Sequence, residues 1–313
     1  MSKYVEHVNK LIMEKTAATE RLVLFGQNIA AGSHISGFTK NIKTGPGGLV
    51  INATNSENTL AGLGFGMMLS GVSSIFFMKQ LDFLLLGIDQ LTHSYNFIRR
   101  RKPTASYTIA AVNSDLGWHG LQSSFNNFGD LCSIARIPGF NITNRADAEE
   151  IINTHLVSPG FRIICVSQRL FGQEILDVPA IYVNKEKTLF KYKDGAKATI
   201  VCFNLSFPQG LELHRRLQEK NISASLFSVN AATPIDWSEI IEDVKKTKNL
   251  VVLDDSKSEN VSHDNLLAAA LQSCKIDHAI VVRREMKGNE WLFPNADELA
   301  INYDNIVTTL SRK

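Results

Sequence analysis

Short runs that are apolar on both faces alternate along the chain with stretches whose apolar residues recur every three or four positions. In the first half the runs fall at 21–26, 49–54, 73–78, 106–113, 139–144 and 161–167. Helical periodicity fills 57–70, 82–100, 122–135 and 146–157 between them. A strand without a polar face is covered on both sides, so this alternation predicts a parallel sheet flanked by helices. The second half repeats the pattern, with strands expected at 198–204, 222–229, 249–255 and 279–284. Helices are expected at 207–220, 236–246, 261–274 and 296–311. The expected fold is α/β, with two doubly wound domains and mainly parallel sheets. Residues 184–197 are polar and charged and include Gly195, a composition that suits a linker. The boundary is placed near residue 190, giving units 1–190 and 191–313.

Composition narrows the class. A chain of 313 residues can hold two domains, each with its own core. Hydrophobic residues at 44% and charged residues at 20% are globular values, which argues against global disorder, collagen or a coiled coil. Lys+Arg (33) and Asp+Glu (31) nearly cancel, and the densest basic cluster, Arg99 to Lys102 beside Pro103, reads as a solvated helix end. No nucleic-acid partner is expected. The apolar run at 60–78 is interrupted by glycines and serines and followed by Lys79, so it reads as core and not as a membrane span. The first residues lack the apolar stretch of a signal peptide. Cys132, Cys165, Cys202 and Cys274 lie far apart without a CxxC pair, which points to a reducing, cytoplasmic setting and to no metal site.

Several segments carry candidate chemistry, each with a plain structural alternative. Gly62, Gly64 and Gly66 are too late and too evenly spaced for a dinucleotide cradle, and suit a helix packed closely on a neighbour. Glu57 follows a strand, where ligands bind in open α/β sheets; it also fits a capping box with Thr54. Lys79, Gln80 and Asp82 either line a pocket or face water, and Phe83 reads as core. The loop 113–127 is rich in Gly, Ser and Asn and carries Trp118 and His119, a residue type that is more often structural than catalytic. Asp254 and Asp255 end a strand and read as caps or turn formers. No GxSxG, HExxH or Walker loop occurs.

In order, Phe25-Gly26-Gln27-Asn28 after the first strand, Thr54-Asn55-Ser56-Glu57-Asn58, the Gly62–Gly66 series and the helix segment Ile88-Asp89-Gln90 resemble one family. Residues 137–150 and Ser167-Gln168-Arg169-Leu170-Phe171-Gly172 extend the likeness over nearly the whole chain. The sequence resembles the beta subunit of thiamine-diphosphate-dependent 2-oxoacid dehydrogenases and, equally, the pyrimidine-binding and C-terminal domains of transketolase. The resemblance implies a catalytic Glu57 that bonds the cofactor's aminopyrimidine ring and favours the tautomer that takes the thiazolium proton. It implies that Phe83 stacks on that ring. Gln80 stands where relatives carry a second aromatic, as a more polar lining or a substrate contact, and Gln27 where they often carry an acid. The family's active-site histidine has no match, since Phe125 or Asn126 occupies its place. His119, Gln122 and Asn126 are the candidate substrate contacts. No G-D-G metal motif is present, and Lys193-Asp194-Gly195 is not one. The resemblance therefore implies an alpha-type partner subunit, α2β2, that holds the diphosphate through Mg2+. The implied reaction makes an acyl or ketol carbanion from a 2-oxo acid or ketose and transfers it to an acceptor. Without the histidine, a non-catalytic scaffold subunit is the rival expectation.

Overall fold

A computed structural model describes residues 2–120, 122–233, 235–258, 261–284 and 297–311. Two six-stranded sheets carry the fold. The first is parallel throughout, in the order β2-β1-β3-β4-β6-β5. Its strands are β1 (Val23–Gly26), β2 (Leu49–Asn52), β3 (Ser74–Met78), β4 (Ser106–Asn113), β5 (Gly139–Ile142) and β6 (Gly160–Ser167). Apart from the edge strand β2, these strands are almost wholly buried, as their apolar runs require.

The second sheet has the order β12-β11-β9-β10-β8-β7. Strands β9 (Ala198–Phe203), β10 (Ala224–Val229), β11 (Asn249–Asp254) and β12 (His278–Arg283) are parallel. An antiparallel pair, β7 (Tyr182–Val183) and β8 (Leu189–Lys193), completes it. The linker expected at 184–197 is therefore corrected. Leu189, Phe190 and Tyr192 are buried core residues, and the intervening Lys191 is also buried, its Nζ paired with Asp243 at 2.9 Å. The lysines gave this strand a loop-like composition. Strand β6 ends at Ser167 and β7 begins at Tyr182, so residue 190 lies within a strand of the second sheet.

Helices α2 (Glu57–Leu69), α5 (Arg145–His155), α6 (Phe207–Glu219), α7 (Ser238–Thr247) and α8 (Ser262–Ser273) fall where periodicity places them. Helix α1 (Tyr4–Ala17) was not anticipated; Val5, Val8 and Ile12 bury one face of it against Ile151 and Ile152 of α5. The helix expected at 82–100 is a chain of helical pieces: a 3-10 segment at Leu81–Gly87, a π segment at Gln90–Ser94, α3 (Tyr95–Ile98) and a further 3-10 turn at Arg99–Arg101. Gly87 lets this path cross α2 closely, since a Cβ there would stand 3.2 Å from the Ala61 side chain and 3.3 Å from the Glu57 carbonyl. The helix expected at 122–135 begins only at Phe128 (α4, Phe128–Ile134), after Asn126 turns the backbone left-handed at φ 43°. At the C-terminus α9 runs Tyr303–Ser311, whereas 297–302 are not helical and residue 296 lies outside the described residues. No described helix is long and apolar enough to cross a membrane.

The two sheets share one apolar cluster, in which Phe140 and Ile142 of β5 join Phe190, Tyr192 and Phe207. Backbone bonds stitch the seam: Asn141 N–H donates to the Asn230 carbonyl at 2.7 Å and Ala232 N–H to the Gly139 carbonyl at 3.1 Å.

Candidate active site

Four residues singled out from the sequence converge on one cavity. Gln27, Glu57, Gln80 and Phe83 line a space of about 200 Å³, with Thr54, Asn55 and Lys79 among its other walls. It opens at the carboxyl ends of β1, β2 and β3, where an open parallel sheet leaves a crevice for ligands. Gly26 brings the walls together. At φ 149°, its missing Cβ would stand 2.3 Å from the Phe77 carbonyl oxygen, so only glycine lets β1 leave the sheet here.

Glu57 is the first residue of α2 and is half-buried. Its carboxylate forms no hydrogen bond or ion pair with any described residue, and the helix N-terminus favours its negative charge. The expected capping box with Thr54 does not form. Ser56 is the N-cap, and its hydroxyl donates to Thr59 Oγ1 at 2.8 Å. The helix thus starts two residues later than that pairing requires, which leaves Glu57 free.

Gln80 is oriented from outside the cavity, because the Ser123 hydroxyl donates to its Oε1 at 3.0 Å and leaves the amide nitrogen available. Phe83 is partly buried and packs on the apolar cluster beneath α2. Lys79 is exposed at the rim. Asp82 neither faces water nor lines the cavity. It is fully buried, accepts a hydrogen bond from Phe125 N–H at 3.2 Å, and has its pKa raised by burial. Asp82 and Gln80 together pin the loop 123–125 over the strand ends. The sequence signal for the loop contacts was weak, because Ser123 and Phe125 meet them across more than forty residues.

The remaining candidates stand elsewhere. His119 is exposed and Gln122 half-buried, and neither lines the cavity. Asn126 is fully buried in the seam. Its Oδ1 accepts from Asn113 and, at 3.0 Å, from Asn204, and its Nδ2 donates to the Asp255 carbonyl at 2.8 Å. Both ends of that amide are spent inside the protein.

Asp255, read as a turn former, is instead a buried charge. Arg169 Nη2 lies 2.6 Å from its Oδ2, and Asn204 and Leu205 N–H donate to its Oδ1 at 2.9 Å. Asp115 accepts from Arg169 N–H at 3.0 Å, and burial pushes its pKa up to about 6 against the pull of the Arg169 charge. Lys257 adds a second pair, 2.9 Å from Asp297 Oδ1, and donates to the Ser124 carbonyl at 2.7 Å. Gly64 bears out close helix packing, since a Cβ would fall 2.1 Å from the Tyr107 ring, while Gly66 faces open space.

Fold and cavity define a transketolase-like pair of α/β units with a ligand crevice at the carboxyl edge of the first sheet. A solved structure described as a split-gene transketolase, inactive β4 tetramer, shares this fold at TM-score 0.64 and 14% identity, over 98% of each chain. Among curated sequences, the chain is 21% identical to the 2-oxoisovalerate dehydrogenase beta subunit of Bacillus subtilis, covering 90% of this chain and 88% of the relative. It is 20% identical to the acetoin:2,6-dichlorophenolindophenol oxidoreductase beta subunit of Cupriavidus necator, over 85% and 83%. It is 21% identical to the pyruvate dehydrogenase E1 beta subunit of Rhizobium meliloti over 80% of this chain, and spans 55% of that relative's length. No family model matches the chain. The resemblance to 2-oxoacid dehydrogenase and transketolase-type beta subunits is thus borne out.

Proposed function

We propose that this chain is the beta subunit of a two-component thiamine-diphosphate enzyme, acting on a 2-oxo acid or ketose. The observation that carries the proposal is the Glu57 carboxylate, without a hydrogen-bond or ion-pair partner among the described residues and half-buried in a cavity with an aromatic wall. At about 200 Å³, the cavity is below the usual range for a whole cofactor and of a size for one substituted ring. That suits a cofactor divided between two chains. Glu57 would bond a ring nitrogen of the aminopyrimidine, Phe83 would lie against its face, and the Gln80 amide and Gln27 would contact its edge or the substrate. When bound, the group supplies a thiazolium carbon that becomes nucleophilic on losing a proton. Glu57 would hold the proton at the ring nitrogen that makes this transfer favourable. The diphosphate and its Mg2+ would lie on an alpha-type subunit in an α2β2 assembly, since this chain lacks the G-D-G motif.

A second reading, a scaffold subunit without turnover, is favoured by the empty place of the histidine. Asn126 is consumed in the seam and His119 stands outside the cavity. One experiment separates the two. The chain is co-produced with an alpha-type subunit, and thiamine diphosphate binding is measured for the complex and for this chain alone. The active reading expects binding by the complex only, and thiazolium proton exchange slowed about 10²–10⁴-fold by Glu57→Gln. Exchange as fast as wild type would remove Glu57 from the reaction. A wild-type complex that binds no cofactor would favour the scaffold.

A further inference from the structure

A second cavity, of about 700 Å³, lies at the opposite edge of the first sheet. The amino ends of β5 and β6 border it through Pro138, Phe140 and Phe161, and the second unit closes it with Thr188, Thr233 and Ile235. Its walls are largely apolar, with Tyr95, Phe140 and Phe161 among them.

Arg162 is the anomaly in this wall. It is 4% exposed, yet among the described residues its guanidinium meets only neutral oxygens. Nη1 donates to Thr108 Oγ1 at 3.2 Å and to the His155 carbonyl at 3.0 Å, and Nη2 donates to the Pro159 carbonyl at 2.7 Å. Three of five N–H donors are used, and no carboxylate among the described residues offsets the charge. Burial accordingly pulls its pKa down to about 10. Buried guanidinium groups are ordinarily paired, and Arg169 in this same molecule is, with Asp255. A second cation lines the cavity. The Arg99 guanidinium lies 4.4 Å above the Tyr95 ring and donates to the carbonyls of Ala135 and Arg136. Glu186 and Asp236 also border the space, but neither forms an ion pair with these arginines, and Asp236 accepts from Ser238 N–H at 3.0 Å. The His155 ring stacks on Phe140 at 4.1 Å, and burial lowers its pKa, so it adds no competing positive charge near neutrality.

We propose that this cavity binds a small organic anion with an aromatic or branched apolar body, its carboxylate against Arg162, with Arg99 as the second cation, and its body against Phe140 and Phe161. The site is separate from the Glu57 cavity and independent of the reaction proposed there. Helix α2 nevertheless touches both, Glu57 opening it and Met68 near its end lining the second cavity.

The chain is titrated with 4-phenylbutyrate, followed by ligand-observed NMR, and in parallel with 4-phenylbutyramide, which has the same body without the charge. Saturable one-to-one binding of the acid is expected, at least about tenfold tighter than the amide, because a hydrogen bond to an ionised group is lost in the latter. Arg162→Gln is expected to weaken binding of the acid about tenfold and to leave the amide unchanged. Should that variant fail to fold, Thr233→Trp fills the cavity from a partly exposed position and is expected to abolish binding. Acid and amide binding equally well, no saturation by the acid, or undiminished binding to Thr233→Trp would each overturn the proposal.

Discussion

Both sheets place acidic residues near the carboxyl ends of their strands, and Glu57 of the first stands in the opposite situation to Asp254 and Asp255 of the second. In the first, Glu57 follows β2 by five residues and faces a cavity without a partner among the described residues. In the second, Asp254 ends β11 and Asp255 follows it. Asp254 lies 2.9 Å from His263 Nδ1 and accepts from Ser256 N–H at 2.9 Å; Asp255 is held by Arg169, Asn204 and Leu205 N–H. The strand-end crevice of the second sheet is closed by the first unit, whose segment 167–170 brings the Arg169 countercharge and whose loop 113–127 brings the Asn126 amide to the Asp255 carbonyl. A carboxylate at a strand end is therefore not a site by position alone. What separates the cavity-facing acid from the structural one is whether the fold supplies it with a partner.

The sharpest way to break this contrast is to remove the partner. Arg169→Met leaves Asp115 and Asp255 buried without their cation and is expected to cost about 3–5 kcal/mol in urea unfolding. A loss below about 1 kcal/mol would mean that the seam does not depend on that charge. Next comes pH. Burial raises Asp147, which accepts from Thr143 N–H, Thr143 Oγ1, Asn144 N–H and Asn230 Nδ2 at the same seam, from 3.8 to about 6. The folded state holds this proton to a higher pH than the unfolded chain does. Its contribution is complete below about pH 4, falls as pH rises to about 6 and is flat above, on the order of 3 kcal/mol in all. Comparing wild type with Asp147→Asn across pH 4–7 isolates it, and parallel curves would refute the raised value.

Packing gives a smaller effect, expected alike in both units. A Cβ on Gly64 would meet the Tyr107 ring at 2.1 Å, and one on Gly210 would meet Cys202 Sγ at 2.1 Å. Alanine at either position is expected to destabilise by about 1–3 kcal/mol, whereas Gly66→Ala, on the open face of α2, stabilises by up to about 1 kcal/mol. Thermal unfolding of the three variants orders them, and a stabilised Gly64→Ala would contradict the close approach. The smallest effect completes the comparison. Glu57→Gln is expected to change stability by no more than about 0.5 kcal/mol, because no hydrogen bond or ion pair with a described residue is lost. A cost like that of Arg169→Met would reveal a structural role for Glu57.

Much of the architecture was legible because burial on both faces leaves a mark in composition. All six strands of the first sheet and four of the second coincide with their expected stretches, β6 and β12 each beginning one residue earlier. Strand β8 was hidden by its lysines, because Lys191 is neutralised by Asp243, a residue 52 positions away. The helix at 82–100 was read correctly as apolar and wrongly as regular, since the slip into 3-10 and π turns answers to contact with α2 and not to local propensity. At the candidate site, Gln27, Glu57, Gln80 and Phe83 were found from ordered motifs and do share a cavity. Asn126 and His119 were drawn from the same loop, and one is spent in the seam while the other stands exposed.

The order of apolar runs and helical periods, by itself, determined two α/β units with largely parallel sheets, and the motif order singled out Glu57. Those properties follow from local burial and from residues close in the chain. Only the tertiary structure decided which charged groups have partners. Among the described residues Glu57 has none, Asp255 has Arg169, and Arg162 is buried against neutral oxygens at a second cavity. Pairing depends on what the fold brings within about 4 Å across tens of residues, and in a low-dielectric interior that distance decides whether a charge holds the structure together or remains available to a ligand.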